Sequence, residues 1–307
     1  METRRLPDTS LDVSVVGLGC NNFGGRIGEE ESRAVIDAAL DAGVTFFDTA
    51  DVYGNVGGSE EIIGRALEGR RDRVVLATKF GHDLRDGEPL PRGSAAYVRK
   101  AVEASLRRLR TDWIDLYQYH RPDGVTPVEE TLGALDELVR EGKVRAVGSS
   151  NFSAALVAEA HGAAQAHGTV RFVTEQSEYS WLRRSAEDEL LPACERLGVG
   201  FVPYFPLASG LLTGKVRRDR PAPEGTRLHG RDVAQDDLER VERLARVAEE
   251  ADASLLEIAI GGLLARPAVV SVIAGATRPE QVRANAQAGA WRPSPEQLGA
   301  IEAATAA

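Results

Sequence analysis

Four side chains that could take part in one proton transfer stand at or just after the ends of short apolar runs. Asp48, Lys79 and His120 each follow such a run, and Tyr53 comes five residues after Asp48. A lysine ammonium beside a tyrosine hydroxyl stabilises the phenolate and lowers the tyrosine pKa from about 10, which favours proton donation near neutral pH. The four residues therefore predict a site in which Tyr53 is the general acid.

The other two members of this group have complementary tasks. A buried ammonium needs a counter-charge, and Asp48 is the nearest candidate to keep Lys79 protonated and in place. His120 can donate a hydrogen bond to a substrate oxygen and orient a carbonyl group. Each residue alone could equally be a turn cap, a solvated strand end or a packing group, but their joint placement favours catalysis.

These residues need a scaffold that brings distant strand ends together. Short β-branched or apolar runs alternate with segments of helical spacing, which is typical of repeated βα units and a parallel sheet. Because the carboxyl ends of barrel strands meet at one mouth, the pattern predicts a (β/α)8 barrel with the four residues at that mouth. The eight predicted strands are residues 15–19, 45–48, 74–78, 114–119, 144–148, 172–176, 200–204 and 269–273.

An open doubly wound sheet is the alternative fold, but its glycine-rich phosphate turn is missing. Gly17-Leu18-Gly19 is followed by Cys20 and Asn21, which breaks the required Gly-x-Gly-x-x-Gly spacing. The predicted helices are residues 30–42, 60–68, 95–109, 128–141, 154–163, 186–197 and 237–251. Residues 3–14 predict a hairpin at the bottom of the barrel, and loops 81–93, 121–127 and 216–236 are expected at the mouth.

Composition excludes several classes of protein. The 307 residues fit one barrel domain spanning 1–307, and the net charge of −10 argues against binding to nucleic acid. No apolar run approaches the roughly 20 residues that span a bilayer, so no membrane association is expected and the cytoplasm is the expected location. Cys20 and Cys194 are too far apart in sequence to indicate a disulfide framework, and no cluster of ligands indicates a metal.

Several segments resemble the aldo-keto reductases, and the resemblance extends over nearly the whole chain. They are residues 47–54 (Phe-Asp-Thr-Ala-Asp-Val-Tyr-Gly), 77–80 (Ala-Thr-Lys-Phe), 115–121 (Asp-Leu-Tyr-Gln-Tyr-His-Arg) and 148–152 (Gly-Ser-Ser-Asn-Phe). They include the complete Asp-Tyr-Lys-His tetrad of that family. The resemblance implies hydride transfer from a nicotinamide to an aldehyde or ketone, with Tyr53 donating the proton and no metal required.

The resemblance also implies where a cofactor binds. Ser150, Asn151 and Gln176 match positions that bind the nicotinamide carboxamide, and Tyr204 matches the aromatic residue that stacks on its ring. Residues 204–215 resemble the loop around the pyrophosphate, and residues 275–285 resemble the segment at the adenosine end, where a helix N-terminus suits phosphate. The implied contacts in these segments are Phe205, Pro206, Leu207, Ser209, Gly210, Lys215, Gly275, Thr277, Arg278, Gln281 and Asn285.

Two positions depart from the family pattern. Ala284 stands where an acidic residue is common, and Phe205 replaces a frequent serine. The candidates for binding a cofactor 2′-phosphate are Arg278, Arg227 and Lys215, which favours NADPH over NADH.

The sequence leaves three functions open. An aldehyde or ketone reductase is favoured, and the same chemistry in reverse would oxidise a sugar or polyol with NAD(P). The cofactor segments also resemble the β subunits of voltage-gated potassium channels, notably at Gln281 and Asn285, which implies a nonenzymatic cofactor-sensing protein as an alternative. Those subunits carry Asn at the position of His120, so the histidine favours an enzyme. A metal-dependent isomerase would need carboxylate and histidine ligands at the mouth, and the sequence offers no such cluster.

Overall fold

The computed structural model describes residues 1–84 and 87–306 of the chain. An antiparallel hairpin of β1 (Thr3–Arg5) and β2 (Asp12–Ser14) precedes eight strands that form one parallel sheet. These strands are β3 (Val16–Gly19), β4 (Phe46–Asp48), β5 (Val75–Phe80), β6 (Ile114–Tyr119), β7 (Val144–Ser150), β8 (Thr174–Glu178), β9 (Gly200–Tyr204) and β10 (Val272–Gly275).

The sheet curls into the predicted barrel. Its order is β10, then β3 through β9 in sequence, and a parallel bridge between Phe201 and Val269 joins the two ends. The Phe201 N–H donates to the carbonyl of Ala268 over 2.7 Å, and the Val270 N–H donates to the carbonyl of Phe201 over 3.0 Å. The eighth strand was predicted at residues 269–273, but its first residues form only this bridge, and regular pairing begins at Val272.

Helices pack around the outside of the sheet. They are α1 (Glu29–Asp41), α2 (Tyr53–Ala66), α3 (Ala95–Leu109), α4 (Val128–Arg140), α5 (Ala154–His167), α6 (Leu190–Leu197), α7 (Gln235–Glu250), α8 (Leu255–Leu264), α9 (Pro279–Ala288) and α10 (Pro295–Thr305). Side-chain caps begin several of them: Ser94 accepts from the Tyr97 N–H and Ser153 from the Leu156 N–H. Gly198 ends α6 with φ of 63°, a backbone angle that glycine adopts without strain.

Several helices differ from the sequence prediction: α10 was not predicted, and α5 and α6 have other bounds than expected. Two further differences have a clear physical reason. α8 was not among the predicted helices, because its sequence is apolar except for Glu257 and shows no amphipathic period; eight of its residues are buried. α2 starts at Tyr53 rather than at residue 60, but residues 54–57 all have positive φ, and regular helix begins only after them. The segment after Tyr53 is therefore a left-handed turn that joins the site to the helix.

The hairpin closes the bottom of the barrel, as its sequence predicted. Leu6, Leu11 and Val13 are buried against a cluster of interior side chains, namely Phe46, Ala77, Leu116, Ala146, Val173, Val202, Val270 and Ile273. Arg4 donates 2.6 Å to the carbonyl oxygen of Val269 at the same end. With the bottom filled by apolar groups, the opposite end is the open one.

The long loops lie at that open end. The loop before α7 crosses toward the β3 side, where Arg227 donates to Asn21 over 3.1 Å and to Asn22 over 2.9 Å. Arg26 donates 3.0 Å to the carbonyl of Gly225. Residues 85 and 86 of the predicted loop 81–93 lie outside the described residues, as does residue 307 of the predicted domain. Within the described ranges, no helix is long and apolar enough to span a membrane.

Candidate active site

The alternation of side chains along the strands places polar groups above the apolar interior. Phe46, Ala77 and Leu116 belong to the interior cluster. Because side chains on one face recur every second residue, Asp48, Lys79 and Gln118 follow them on the same face. His120 comes two residues after Gln118, immediately after the last residue of β6. The mouth of the barrel therefore begins with a layer of buried polar residues.

Asp48 and Lys79 form a buried ion pair in this layer. The Lys79 Nζ lies 2.6 Å from Asp48 Oδ2 and also donates 2.9 Å to the carbonyl oxygen of Thr49. The side chains of Lys79 and Asp48 are only 1% and 4% exposed. Burial acts to lower the pKa of Lys79, but the charge of Asp48 and the hydroxyl of Tyr53 outweigh it, so the pKa is raised. The lysine is therefore held as an ammonium.

Two glutamines complete the hydrogen bonds of the Asp48 carboxylate. Gln118 Nε2 donates to Asp48 Oδ1 over 3.0 Å, and Gln176 Nε2 donates to the same oxygen over 2.9 Å. Gln176 also donates 3.1 Å to Gln118 Oε1. The nitrogen of Gln176 is thus engaged with protein, which leaves its amide oxygen as the atom for a ligand. Sequence reasoning assigned no role to Gln118, because a glutamine within a strand carries no motif of its own.

Tyr53 lies beside the ion pair, half-buried, with the Lys79 Nζ 5.2 Å from the centroid of its ring. Burial raises the pKa of Tyr53 above its usual value, and the opposing charge of Lys79 does not outweigh that effect. The sequence predicted a lowered pKa for Tyr53, and this direction is wrong for the protein alone. The expectation considered the ammonium but not the loss of water around the phenol.

His120 faces Tyr53 across the mouth. Their ring centroids are 5.9 Å apart in an edge-to-face arrangement, and the ring of His82 lies 5.0 Å from that of His120. Burial, together with the charges of Lys79, His82 and Arg121, lowers the pKa of His120 to about 2. Its Nδ1 is buried and has no hydrogen-bond partner in the described part of the chain. His120 is therefore a neutral imidazole at physiological pH.

The predicted nicotinamide contacts form a connected chain next to His120. Asn151 Nδ2 donates to the carbonyl oxygen of His120 over 2.9 Å and to Ser150 Oγ over 3.0 Å. The Tyr204 hydroxyl donates 2.8 Å to Asn151 Oδ1, and the Ser150 hydroxyl donates 2.8 Å to the carbonyl of Gln176. Asn151 has a φ of 61°, which asparagine tolerates better than most residues. These bonds fix the orientation of the chain's polar atoms.

Glu175 supports this turn from below, a function that the sequence analysis did not predict. Its fully buried carboxylate accepts hydrogen bonds from the Ser149 hydroxyl at 2.5 Å, the Ser177 hydroxyl at 2.7 Å and the Phe152 N–H at 3.1 Å. Burial raises the pKa of Glu175 to about 7, although these hydrogen bonds act to lower it. A buried carboxylate with several donors is an uncommon arrangement that rigidifies the turn around Asn151.

One cleft of about 850 Å³ connects these groups with the more distant segments. Asp48, Tyr53 and His120 line it, whereas Lys79 lies behind them. All the predicted cofactor-binding residues line the same cleft: Ser150, Asn151, Gln176, Tyr204, Phe205, Pro206, Leu207, Ser209, Gly210, Lys215, Arg227, Gly275, Thr277, Arg278, Gln281 and Asn285. Further lining groups that the sequence analysis did not assign to a cofactor include Asn22, Arg26 and Arg121.

The far end of the cleft suits phosphate groups. Arg278 precedes the first turn of α9, and the positive end of a helix dipole favours anions. Gln281 Oε1 accepts from the Thr277 N–H over 2.7 Å. Lys215 and Arg278 form no ion pair within residues 1–84 and 87–306. Arg227 is bonded to Asn21 and Asn22, and its guanidinium lies 5.6 Å from the centroid of the Phe205 ring.

The donor set fits a nicotinamide dinucleotide. Polar amide and hydroxyl groups line one part of the cleft, and the cationic side chains of Lys215, Arg227 and Arg278 line another, where phosphates would lie. In the described part of the chain, no group of three or more His, Cys, Asp or Glu side chains could hold a metal ion.

Comparison with known proteins gives a consistent result. Residues 15–306 match the Aldo/keto reductase family. The chain is 40% identical over 294 residues to the uncharacterized oxidoreductase YrpG of Bacillus subtilis, covering 92% of this chain and 89% of that protein. It is 35% identical over 304 residues to the aldo-keto reductase YhdN of the same organism, covering 95% of this chain and 89% of YhdN.

A plant protein is similar to the same extent. The chain is 36% identical over 303 residues to a probable voltage-gated potassium channel subunit beta of Arabidopsis thaliana, covering 94% of this chain and 91% of that protein. The match to the family and the identities to its named relatives extend over nearly all of the barrel. The protein is therefore an oxidoreductase that belongs to the aldo/keto reductase family.

Proposed function

We propose that the protein reduces an aldehyde or ketone to an alcohol with NADPH, and that Tyr53 is the proton donor. One observation supports this most strongly: a buried Lys79–Asp48 ion pair lies against Tyr53, with His120 opposite, in a cleft that continues to a cationic end. We further propose that the whole chain, residues 1–307, acts as one domain.

The proton chemistry follows from the charges around Tyr53. Because its pKa is raised, Tyr53 holds its proton at physiological pH and can donate it to the oxygen of a forming alkoxide. The Lys79 ammonium stabilises the phenolate that remains, and Asp48 keeps that ammonium charged and fixed. His120, neutral because its pKa is lowered to about 2, donates an N–H to the carbonyl oxygen and orients it.

The cofactor supplies the hydride. Ser150, Asn151 and the amide oxygen of Gln176 would bind its carboxamide, and Tyr204 would pack on its ring. The segment after β9 and the N-terminus of α9 would bind the pyrophosphate and the adenosine end. Arg278, Lys215 and Arg227 would bind a 2′-phosphate, which is the basis for proposing NADPH rather than NADH.

Two alternatives use the same site. Oxidation of a sugar or polyol would run the proton path in reverse, with the Tyr53 phenolate accepting the proton. The similarity to a protein named as a potassium channel subunit supports a cofactor-binding partner protein as a second candidate. His120 favours the enzyme, because a partner protein that only senses the cofactor does not need a hydrogen-bond donor for a carbonyl oxygen.

A substrate panel tests the proposal. Loss of NADPH absorbance is measured with aldehydes, ketones and keto sugars, and each reaction is repeated with NADH and in the oxidative direction with polyols. We expect turnover of aldehydes with NADPH and a higher Km for NADH. Tight NADPH binding without turnover of any substrate would refute the reductase and favour the partner protein. A preference for NADH would refute only the proposed cofactor.

A further inference from the structure

One cation in the cleft has no hydrogen-bond or ion-pair partner among residues 1–84 and 87–306. Arg121 directly follows His120, is exposed and lines the cleft. It makes no hydrogen bond or ion pair with any residue that the structure describes. Most other arginines near the mouth have such a contact; Arg26 and Arg227, for example, each donate to loop atoms. An unpaired guanidinium beside a reaction site is available to a ligand.

Arg121 lies next to the proposed reaction centre, because it follows His120 in sequence and lines the same cleft. Its charge acts on His120 and on Tyr204, since it contributes to lowering the pKa of the first and opposes the rise that burial causes in the second. The ring of His82 lies 5.0 Å from that of His120 and also lines the cleft. The part of the cleft next to His120 is therefore lined by the nitrogen-bearing side chains of His82 and Arg121.

Within residues 1–84 and 87–306, no carboxylate forms an ion pair with Arg121. Asp48 is paired with Lys79. Asp123 accepts hydrogen bonds from the Gly93 N–H at 2.8 Å and from the Thr126 hydroxyl at 2.7 Å. Glu178 is exposed at the end of β8 and acts on the pKa of Tyr204, but it forms no ion pair with Arg121 in the described part of the chain.

We propose that the substrates are carbonyl compounds with an anionic group, a carboxylate or a phosphate, which the Arg121 guanidinium binds while Tyr53 and His120 hold the carbonyl oxygen. Guanidinium groups match both anions with two parallel hydrogen bonds. The inference rests on the proposed reductase function. The anionic group keeps its bonds throughout; only the carbonyl changes, gaining a hydride from the cofactor and a proton from Tyr53. Lys215, Arg227 and Arg278 stand on other segments and remain for the cofactor phosphates.

The test compares charged and neutral aldehydes of similar shape in the NADPH-loaded enzyme. 4-Carboxybenzaldehyde is paired with 4-methylbenzaldehyde, and glyceraldehyde 3-phosphate is paired with glyceraldehyde. We measure kcat and KM for wild type, for Arg121→Met and for Arg196→Met; Arg196 is an exposed arginine of α6 outside the cleft. We expect wild type and Arg196→Met to prefer the anionic member of at least one pair by about tenfold in kcat/KM.

In Arg121→Met, we expect that preference to disappear through a higher KM, with the neutral aldehydes unchanged. The pair in which it disappears identifies the anion as carboxylate or phosphate. Equal kcat/KM for both members in wild type, a preference that survives Arg121→Met, or an equal loss for charged and neutral members would each overturn the inference and leave the reductase function standing.

Absence of all aldehyde reduction would instead contradict the reductase proposal. In that case, the binding of a charged and a neutral alcohol tests the anion site at Arg121 without any need for turnover. Calorimetry compares 4-(hydroxymethyl)benzoate with 4-methylbenzyl alcohol on the protein with NADP⁺. Tighter binding of the benzoate that depends on Arg121 supports an anion site, and equal binding of the two alcohols overturns it.

Discussion

The ammonium of Lys79 lies 2.6 Å from the carboxylate of Asp48, and both side chains are almost fully buried. Two charges removed from water are stable only when they face each other and when hydrogen bonds satisfy their remaining atoms. Thr49, Gln118 and Gln176 provide those bonds. The pair therefore couples the stability of the barrel mouth to the chemistry of Tyr53.

Removing one partner of this pair should destabilise the protein. In Lys79→Met, the Asp48 charge is left buried without its counter-ion, and we expect a loss of about 3–5 kcal/mol in the free energy of unfolding. Activity should fall with it, because Lys79 no longer stabilises the phenolate of Tyr53. Urea unfolding of Lys79→Met, Asp48→Asn and the double variant measures the coupling. Additive losses in the double variant would mean that the two charges do not stabilise each other.

His120 should not titrate in the working range of the enzyme. Its pKa is lowered to about 2, so the imidazole is neutral from about pH 5 to 8, where a free histidine would change charge. We expect log kcat/KM for aldehyde reduction at saturating NADPH to show no step near pH 6.5, and NMR of the His120 ring to show no titration there. A His120 titration near pH 6.5 would contradict the account of its burial.

Glu175 should set the affinity for the cofactor through the turn that holds Asn151. In Glu175→Gln, an amide N–H₂ replaces an acceptor that faces hydroxyl and N–H donors, and we expect about tenfold weaker NADPH binding. Because the pKa of Glu175 is raised to about 7, wild-type affinity should also fall as the pH drops below about 7 and the carboxylate gains a proton.

Fluorescence titration with NADPH between pH 6 and 8 measures both effects. Glu159→Gln, an exposed site on α5, is the control and should behave as wild type. The pH dependence that belongs to Glu175 should be absent in Glu175→Gln. If Glu175→Gln binds NADPH with the affinity and the pH dependence of wild type, Glu175 does not control cofactor binding.

Asp51 should make the fold less stable as the pH rises. Burial, reinforced by the charge of Glu60, raises the pKa of Asp51 to about 8, and one of its carboxylate oxygens is buried without a partner in the described part of the chain. Between about pH 4 and 8, the folded protein retains a proton that the unfolded chain releases, so wild-type stability falls across this window.

Asp51→Asn has no titrating carboxyl group at this position, so the pH-dependent part of the stability that comes from Asp51 is absent. We expect its free energy of unfolding, relative to wild type, to increase by about 5 kcal/mol from pH 4 to pH 8. Urea unfolding at both pH values measures the change, and Asp112→Asn, at an exposed site, should show none. A wild-type-like pH dependence in Asp51→Asn would show that the carboxyl group is already ionised in the fold.

Much of the scaffold follows from local patterns in the sequence. Alternating apolar runs and helical segments predict the barrel, and the period of two along each strand places Asp48 and Lys79 on the same interior face. α8 does not follow from such a pattern, because a helix that is apolar except for one glutamate has no amphipathic period. The start of the eighth strand also depends on how the sheet closes at Phe201, which is a property of the whole barrel.

Some residues of the candidate site could likewise be predicted from the sequence, and others could not. The tetrad and the cofactor segments lie within recognisable motifs, and the structure places them around one cleft. Gln118 and Glu175 are polar residues within strands, and their partners come from strands distant in sequence. The direction of the Tyr53 pKa shift depends on the balance between burial and the opposite charges of Lys79 and Asp48, which only the three-dimensional structure determines.

Tyr53→Phe tests the central claim most directly, because the substitution removes only the hydroxyl group and keeps the ring beside Lys79. NADPH binding and single-turnover reduction of an aldehyde are measured on the same preparations of wild type and variant. We predict unchanged NADPH affinity and a hydride-transfer rate at least about a hundredfold lower. A variant that binds NADPH and reduces the aldehyde at the wild-type rate would contradict the assignment of Tyr53 as the proton donor.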